Sequence, residues 1–125
     1  MGNSPTMKAA VRGIVMQGMM VLIGYLVPAF GQAPNSYAIV GTLLAALTGA
    51  LVPRLASGLS AIQAASGGAS AGVVSSVVGG LLAAGTGQWP GFEMLQILYP
   101  AISGGIAGGV GGLLGRLMRT PAPAR

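Results

Sequence analysis

PAISGGIAGGVGGLLGRLM, residues 100–118, decides how the chain is read. Gly104, Gly105, Gly108, Gly109, Gly111, Gly112 and Gly115 all fall inside it. In water each glycine costs a helix about 1 kcal/mol relative to alanine, so the segment has little reason to be helical there. Hydrocarbon reverses the balance. It offers no partner to a free N–H or C=O, so an apolar segment must satisfy its own backbone as a helix or join a closed barrel. At helical spacing Gly104, Gly108 and Gly112 line up as one smooth groove, while Ile102, Ile106, Val110, Leu113 and Leu117 gather elsewhere on the circumference. Small residues four apart let a second helix approach backbone to backbone. The spacing predicts a packing helix inside a membrane-embedded bundle.

Composition points the same way. Of 125 residues, 53% are hydrophobic and 6% charged, and the mean hydropathy is +0.78. Soluble domains carry about 25% charged residues. So few charges leave too little polar surface to keep a domain of this size dispersed. Cysteine and histidine are absent, which removes disulfides, thiol catalysis, zinc-type sites and histidine acid–base chemistry together. The net charge of +5 would elsewhere suggest a nucleic-acid partner. Here Lys8, Arg12, Arg54, Arg116, Arg119 and Arg125 stand singly or in pairs beside apolar runs. That is the layout of cations flanking membrane segments, and no nucleic acid is expected as a partner.

In chain order, residues 1–10, MGNSPTMKAA, read as a flexible polar N-terminus. They fit the M-G-x-x-x-[ST] myristoylation pattern, which is short enough to arise by chance. The first span is expected at 11–30, with Lys8 and Arg12 at its start, Gln17 as its strongly polar side chain and Pro28 near its end. A basic start, an apolar run and Gly31-Gln32-Ala33 also imitate a cleavable signal peptide, although the run exceeds the usual core of about 7–15 residues. After the turn-rich GQAPNS comes a second span, 37–53, carrying Gly41, Ala45 and Gly49 and closed by Pro53 and Arg54. The third, 61–85, sets Ala64, Gly68, Gly72, Ser76, Gly80 and Ala84 at four-residue intervals, with Val73, Val74, Val77, Val78, Leu81 and Leu82 on another face. Only an α-helix turns that spacing into two faces. Its weakly apolar first half leaves open a re-entrant segment, or a Gly/Ser linker before a short buried helix. A second turn, GTGQWPGF, holds Trp89, an aromatic suited to a bilayer interface, and Glu93 follows as the single acid. The fourth span, 94–118, contains Pro100, which should kink or begin the tight helix, and a basic Pro/Ala tail occupies 119–125.

The expected fold is therefore all-α: a polytopic bundle of four transmembrane helices packed as a glycine zipper, with both termini on one side. The expected helix-packing residues are Gly68, Gly72, Ser76, Gly80, Gly104, Gly108 and Gly112. Arg12, Arg54, Trp89, Arg116 and Arg119 are expected at the membrane interface. With the N-terminus in the cytoplasm, four crossings bring every Lys and Arg to the inner side, as the positive-inside rule requires. A cytoplasmic, inner or viral membrane follows.

No enzyme, cofactor or metal is expected. One carboxylate cannot supply paired acid and base or a metal cage, and no base is available to activate a serine. GGIAGGVGG lacks the Lys-Ser/Thr of a phosphate loop. Glu93 reads as an interfacial charge or a lone membrane acid, and Arg54 as a snorkelling loop end or part of an anion path. Gln17, Gln63, Ser66, Ser70, Ser75 and Ser76 either bond across helices and to their own backbone or line a polar lumen.

Small size, little mass outside the membrane and a basic C-terminal tail resemble phage holins and related virus-encoded permeabilising proteins. The resemblance is architectural, rests on no residue motif and transfers no site residues. It implies a self-associating, hole-forming protein whose partners are the bilayer and its own copies. Two other readings stay open: a structural membrane protein of a virion or pilus-like assembly, partnered by other membrane or virion proteins, and a small four-span channel or transporter. The chain is similar to small multidrug transporters and fluoride channels in size alone. It lacks the first-span acid of the former, and Phe30 and Phe92 sit at span ends.

Overall fold

Ser4 begins the first helix. Its backbone is extended, its Oγ accepts from the Met7 N–H at 3.0 Å, and Pro5 fills the first helical position, where no N–H is needed. Helix α1 therefore runs Pro5–Leu26. Residues 5–10, expected in a flexible start, are its first turns, because a cap and a proline outweigh the lack of apolar residues there. The other helices are α2, Pro34–Leu55, α3, Ala61–Gly85, and α4, Met94–Met118. The structure is a computed structural model and describes residues 4–27, 29, 34–56, 58–85 and 94–118. Among these residues all regular structure is helical.

Local chemistry explains the remaining boundaries. Pro53 lies in the last turn of α2 instead of stopping it, and the helix continues to Leu55. Gly58 follows at φ +76°, a left-handed conformation that favours glycine, and turns the chain toward α3. Ser60 and Gln63 then form a reciprocal capping box: the Gln63 N–H donates to Ser60 Oγ at 3.1 Å and the Ser60 N–H to Gln63 Oε1 at 2.9 Å. Anchored this way, the weakly apolar half of α3 is helical throughout. Helix α4 passes through Pro100 without ending.

The chain runs up and down through an all-helical bundle. At one end Ala9 and Ala10 of α1 cluster with Val52 of α2, Ala71 of α3 and the neighbouring Leu59. Arg116, in the last turn of α4, donates from Nε to the Leu59 carbonyl at 2.8 Å. The start of α1, the end of α2, the start of α3 and the end of α4 therefore share one end. Met20, Val21 and Ala83 cluster toward the other end, with Val40 and Leu44 against them. Helices α2 and α3 each touch the other three, while α1 and α4 do not meet among the described residues.

Side-chain size runs opposite to a soluble core. The buried apolar set is largely alanine, namely Ala9, Ala10, Ala45, Ala64, Ala71 and Ala83, and the largest fully buried side chains are Val52, Thr48, Pro53 and Ser75. Large apolar side chains face outward: Val11, Val15, Met19 and Leu22 on α1, and Ile102, Ile106 and Val110 on α4. Ile106 is 65% exposed and Ala71 fully buried. Water would penalise that surface heavily, whereas hydrocarbon does not. Helices α1, α3 and the Leu98–Met118 part of α4 are long and apolar enough to cross a membrane, and α2 carries a shorter apolar segment, Ile39–Leu55. At 1.5 Å per residue, the 22 residues of α1 extend about 33 Å against a hydrocarbon core of about 30 Å.

Candidate functional site

Glycine makes a backbone-to-backbone helix contact possible. On α3, a Cβ added at Gly68 would collide with the Gly108 carbonyl oxygen of α4, and one at Gly72 with that of Gly104. The relation is mutual. A Cβ at Gly108 would strike the Gly68 carbonyl oxygen, one at Gly112 that of Ala64, and one at Gly104 the Ser76 hydroxyl. At Gly68, Gly72, Gly108 and Gly112 the two helices meet on backbone, and Ser76 is the side chain that enters the contact, against Gly104. Gly68, Gly72, Ser76, Gly104, Gly108 and Gly112 thus stand together inside a single chain. Gly80 lies one turn further along α3 and lines a cavity described below.

A second small-residue face on α4 serves α2. A Cβ at Gly111 would run into the Ala46 carbonyl oxygen, and one at Gly115 would lie 2.7 Å from that of Ala50. The spacing of Ala46 and Ala50 was the available signal, masked by the neighbouring Gly41, Ala45 and Gly49. Of those three, Gly49 abuts Gly108, Ala45 is buried, and Gly41 borders the cavity. Two further glycines carry no pattern in sequence. Gly13 of α1 accommodates Thr48 and Ser75, whose atoms would lie 2.5–2.8 Å from an added Cβ, and Gly79 of α3 accommodates Gln17.

The cavity lies where the four helices converge around Gln17. It is about 40 Å³ and is lined by Gln17 and Met20 from α1, Gly41 and Thr42 from α2, Ser76, Gly79 and Gly80 from α3, and Tyr99, Pro100 and Ser103 from α4. Gln17 is 2% exposed and donates from Nε2 to the Gly41 carbonyl at 3.1 Å, crossing between helices. Ser103 Oγ donates to its own helix at the Tyr99 carbonyl, 2.7 Å away. Pro100 has no N–H to offer the Gln96 carbonyl four residues back. Ser76 is 9% exposed, and its hydroxyl makes no hydrogen bond among the described residues. Among the described residues no charged side chain lines the cavity.

Other polar residues satisfy themselves locally. Thr48 Oγ1 donates to the Leu44 carbonyl at 2.7 Å, Ser75 Oγ to the Gly72 carbonyl at 3.2 Å and Ser66 Oγ to the Gln63 carbonyl at 3.4 Å. Ser70 is exposed. Lys8 and Arg12 near the start of α1 and Arg54 in the last turn of α2 are exposed at the end where Arg116 holds Leu59. Trp89, Glu93, Arg119 and Arg125 lie outside the described residues. No group of acidic, histidine or cysteine side chains that could hold a metal occurs among the described residues. No family model, curated protein or solved structure matches this chain.

Proposed function

We propose that the protein is a small integral membrane protein that self-associates in the bilayer and permeabilises it, in the manner of the phage holins it resembles in architecture. One observation carries the reading: an interior of glycine, alanine and serine in which α3 and α4 touch through their backbones. Helices that do not interlock side chains can part and pair again with the equivalent helices of a second copy, without rotamer rearrangement. Because these faces are filled within one chain, pairing between copies proceeds by exchange and depends steeply on accumulation. Lipid and further copies are the partners. Four crossings with both termini inside fit the gathering of Lys8, Arg12, Arg54 and Arg116 at one end of the bundle.

Induced expression in a bacterium carrying a potential-sensitive dye tests this. Growth should continue while the protein accumulates, then membrane potential should collapse abruptly at a reproducible level. Harmless accumulation to high density contradicts the proposal. It would favour the second reading, a structural membrane component of a virion or pilus-like assembly, which the completed packing within one chain supports.

A further inference from the structure

We propose that the chamber around Gln17 is a resident water site inside the membrane-spanning bundle, holding two or three exchangeable molecules and selective for small neutral hydrogen-bonding species. The inference rests on the membrane reading and not on lesion formation. Three observations converge on it. First, each helix contributes a polar residue to the lining: Gln17 from α1, Thr42 from α2, Ser76 from α3, and Tyr99 and Ser103 from α4. Second, Ser76 is nine-tenths buried and has no hydrogen-bond partner among the described residues. A buried hydroxyl in that state carries its desolvation cost uncompensated, and lipid cannot relieve it. Third, the space suits water. The cavity is about 40 Å³, and one water needs about 10–15 Å³ together with two to four polar partners.

The lining also sets selectivity. Among the described residues no carboxylate faces the chamber to hold a cation, and no Lys or Arg to hold an anion. An ion would lose its hydration shell to a few neutral dipoles, whereas a neutral molecule with donors and acceptors loses little. Gly79 makes the arrangement possible, because an added Cβ there would come within 2.9 Å of Gln17 Cβ and Oε1. Gln17 follows Arg12 on α1, about 8 Å further along the axis and so inside the hydrocarbon when Arg12 sits at the interface. A hydrated nucleus at that depth lowers the barrier to a continuous aqueous path once the helices part.

Water-edited solid-state NMR on the full chain in bilayers with deuterated acyl chains tests the site. Magnetisation from water should reach the Gln17 side-chain amide and Ser76 several-fold faster than it reaches buried Ala71 or outward-facing Leu22. In Gln17→Leu the transfer to Ser76 should fall to the Ala71 level. In Ser76→Ala, which removes one oxygen and adds no bulk, transfer to the Gln17 amide should slow while the amide resonances elsewhere stay in place. Equally slow transfer to Gln17, Ser76, Ala71 and Leu22 would overturn the inference and leave the membrane bundle standing. Fast transfer to Leu22 as well would remove the membrane reading and the inference together. Wild-type transfer rates in both variants would show that the water lies elsewhere, which also overturns the assignment.

Discussion

Gly13 and Gly18 lie on the same helix and have opposite consequences. Around Gly18 an added Cβ meets nothing within 4 Å, while at Gly13 it would press on Thr48 and Ser75. Gly18→Ala should therefore be neutral or stabilising by up to about 1 kcal/mol, through helix propensity alone. Gly13→Ala should destabilise by about 1–3 kcal/mol, as overpacking does. Thermal unfolding of both variants in detergent, followed by helical circular dichroism, gives the two signs. At the α3–α4 contact, Gly108→Leu should separate the helices, because the obstacle is the Gly68 backbone and not a movable side chain. Leu113→Ile, on an exposed position, should be nearly silent. Equal behaviour of the two would mean that this groove carries no packing. Spacing made Gly104, Gly108 and Gly112 legible in sequence, since three glycines four apart have one plausible use in a helix. Gly13 and Gly79 were not legible, because each is defined by a polar side chain on another helix.

Helices begin and end here by hydrogen bonding more than by hydropathy, and the apolar runs alone give 11–30 and 37–53 where α1 and α2 run Pro5–Leu26 and Pro34–Leu55. S-P-T-M at residues 4–7 and S-A-I-Q at residues 60–63 carry cap signals that a reading tuned to apolar length passes over. The apolar periodicity of α3 and α4 was sufficient for their extents, since nothing but a helix separates glycine from valine at that spacing. Ser60→Ala should cost about 1 kcal/mol and fray the first turn of α3. Amide hydrogen exchange should accelerate at Gln63 and Ala64 and stay unchanged at Gly79 and Leu81. Arg116 tests a different bond, between the end of α4 and the Leu59 carbonyl. Arg116→Gln should speed exchange across residues 58–60 while leaving helix content intact. Unchanged exchange there would show that the guanidinium does not hold the turn.

At the scale of the whole molecule, large side chains outside and small ones inside are one arrangement seen from two sides. Glycine and alanine bring helices close enough to satisfy a core without bulk, and leucine, isoleucine and valine are left to meet the surrounding medium. Hydropathy and charge layout made the all-helical bundle legible because both act over whole segments. The chamber was only half visible: Gln17 and Ser76 stood out as polar residues in apolar runs, yet their meeting depends on how four helices cross. Nitroxide labels at Leu22→Cys, Leu43→Cys and Ile106→Cys, in a chain with no native cysteine, test the arrangement most directly in reconstituted bilayers. The account predicts that relaxation at all three sites is enhanced by oxygen, which partitions into hydrocarbon, and is untouched by a water-soluble nickel chelate. Strong relaxation by the chelate at these sites would contradict it.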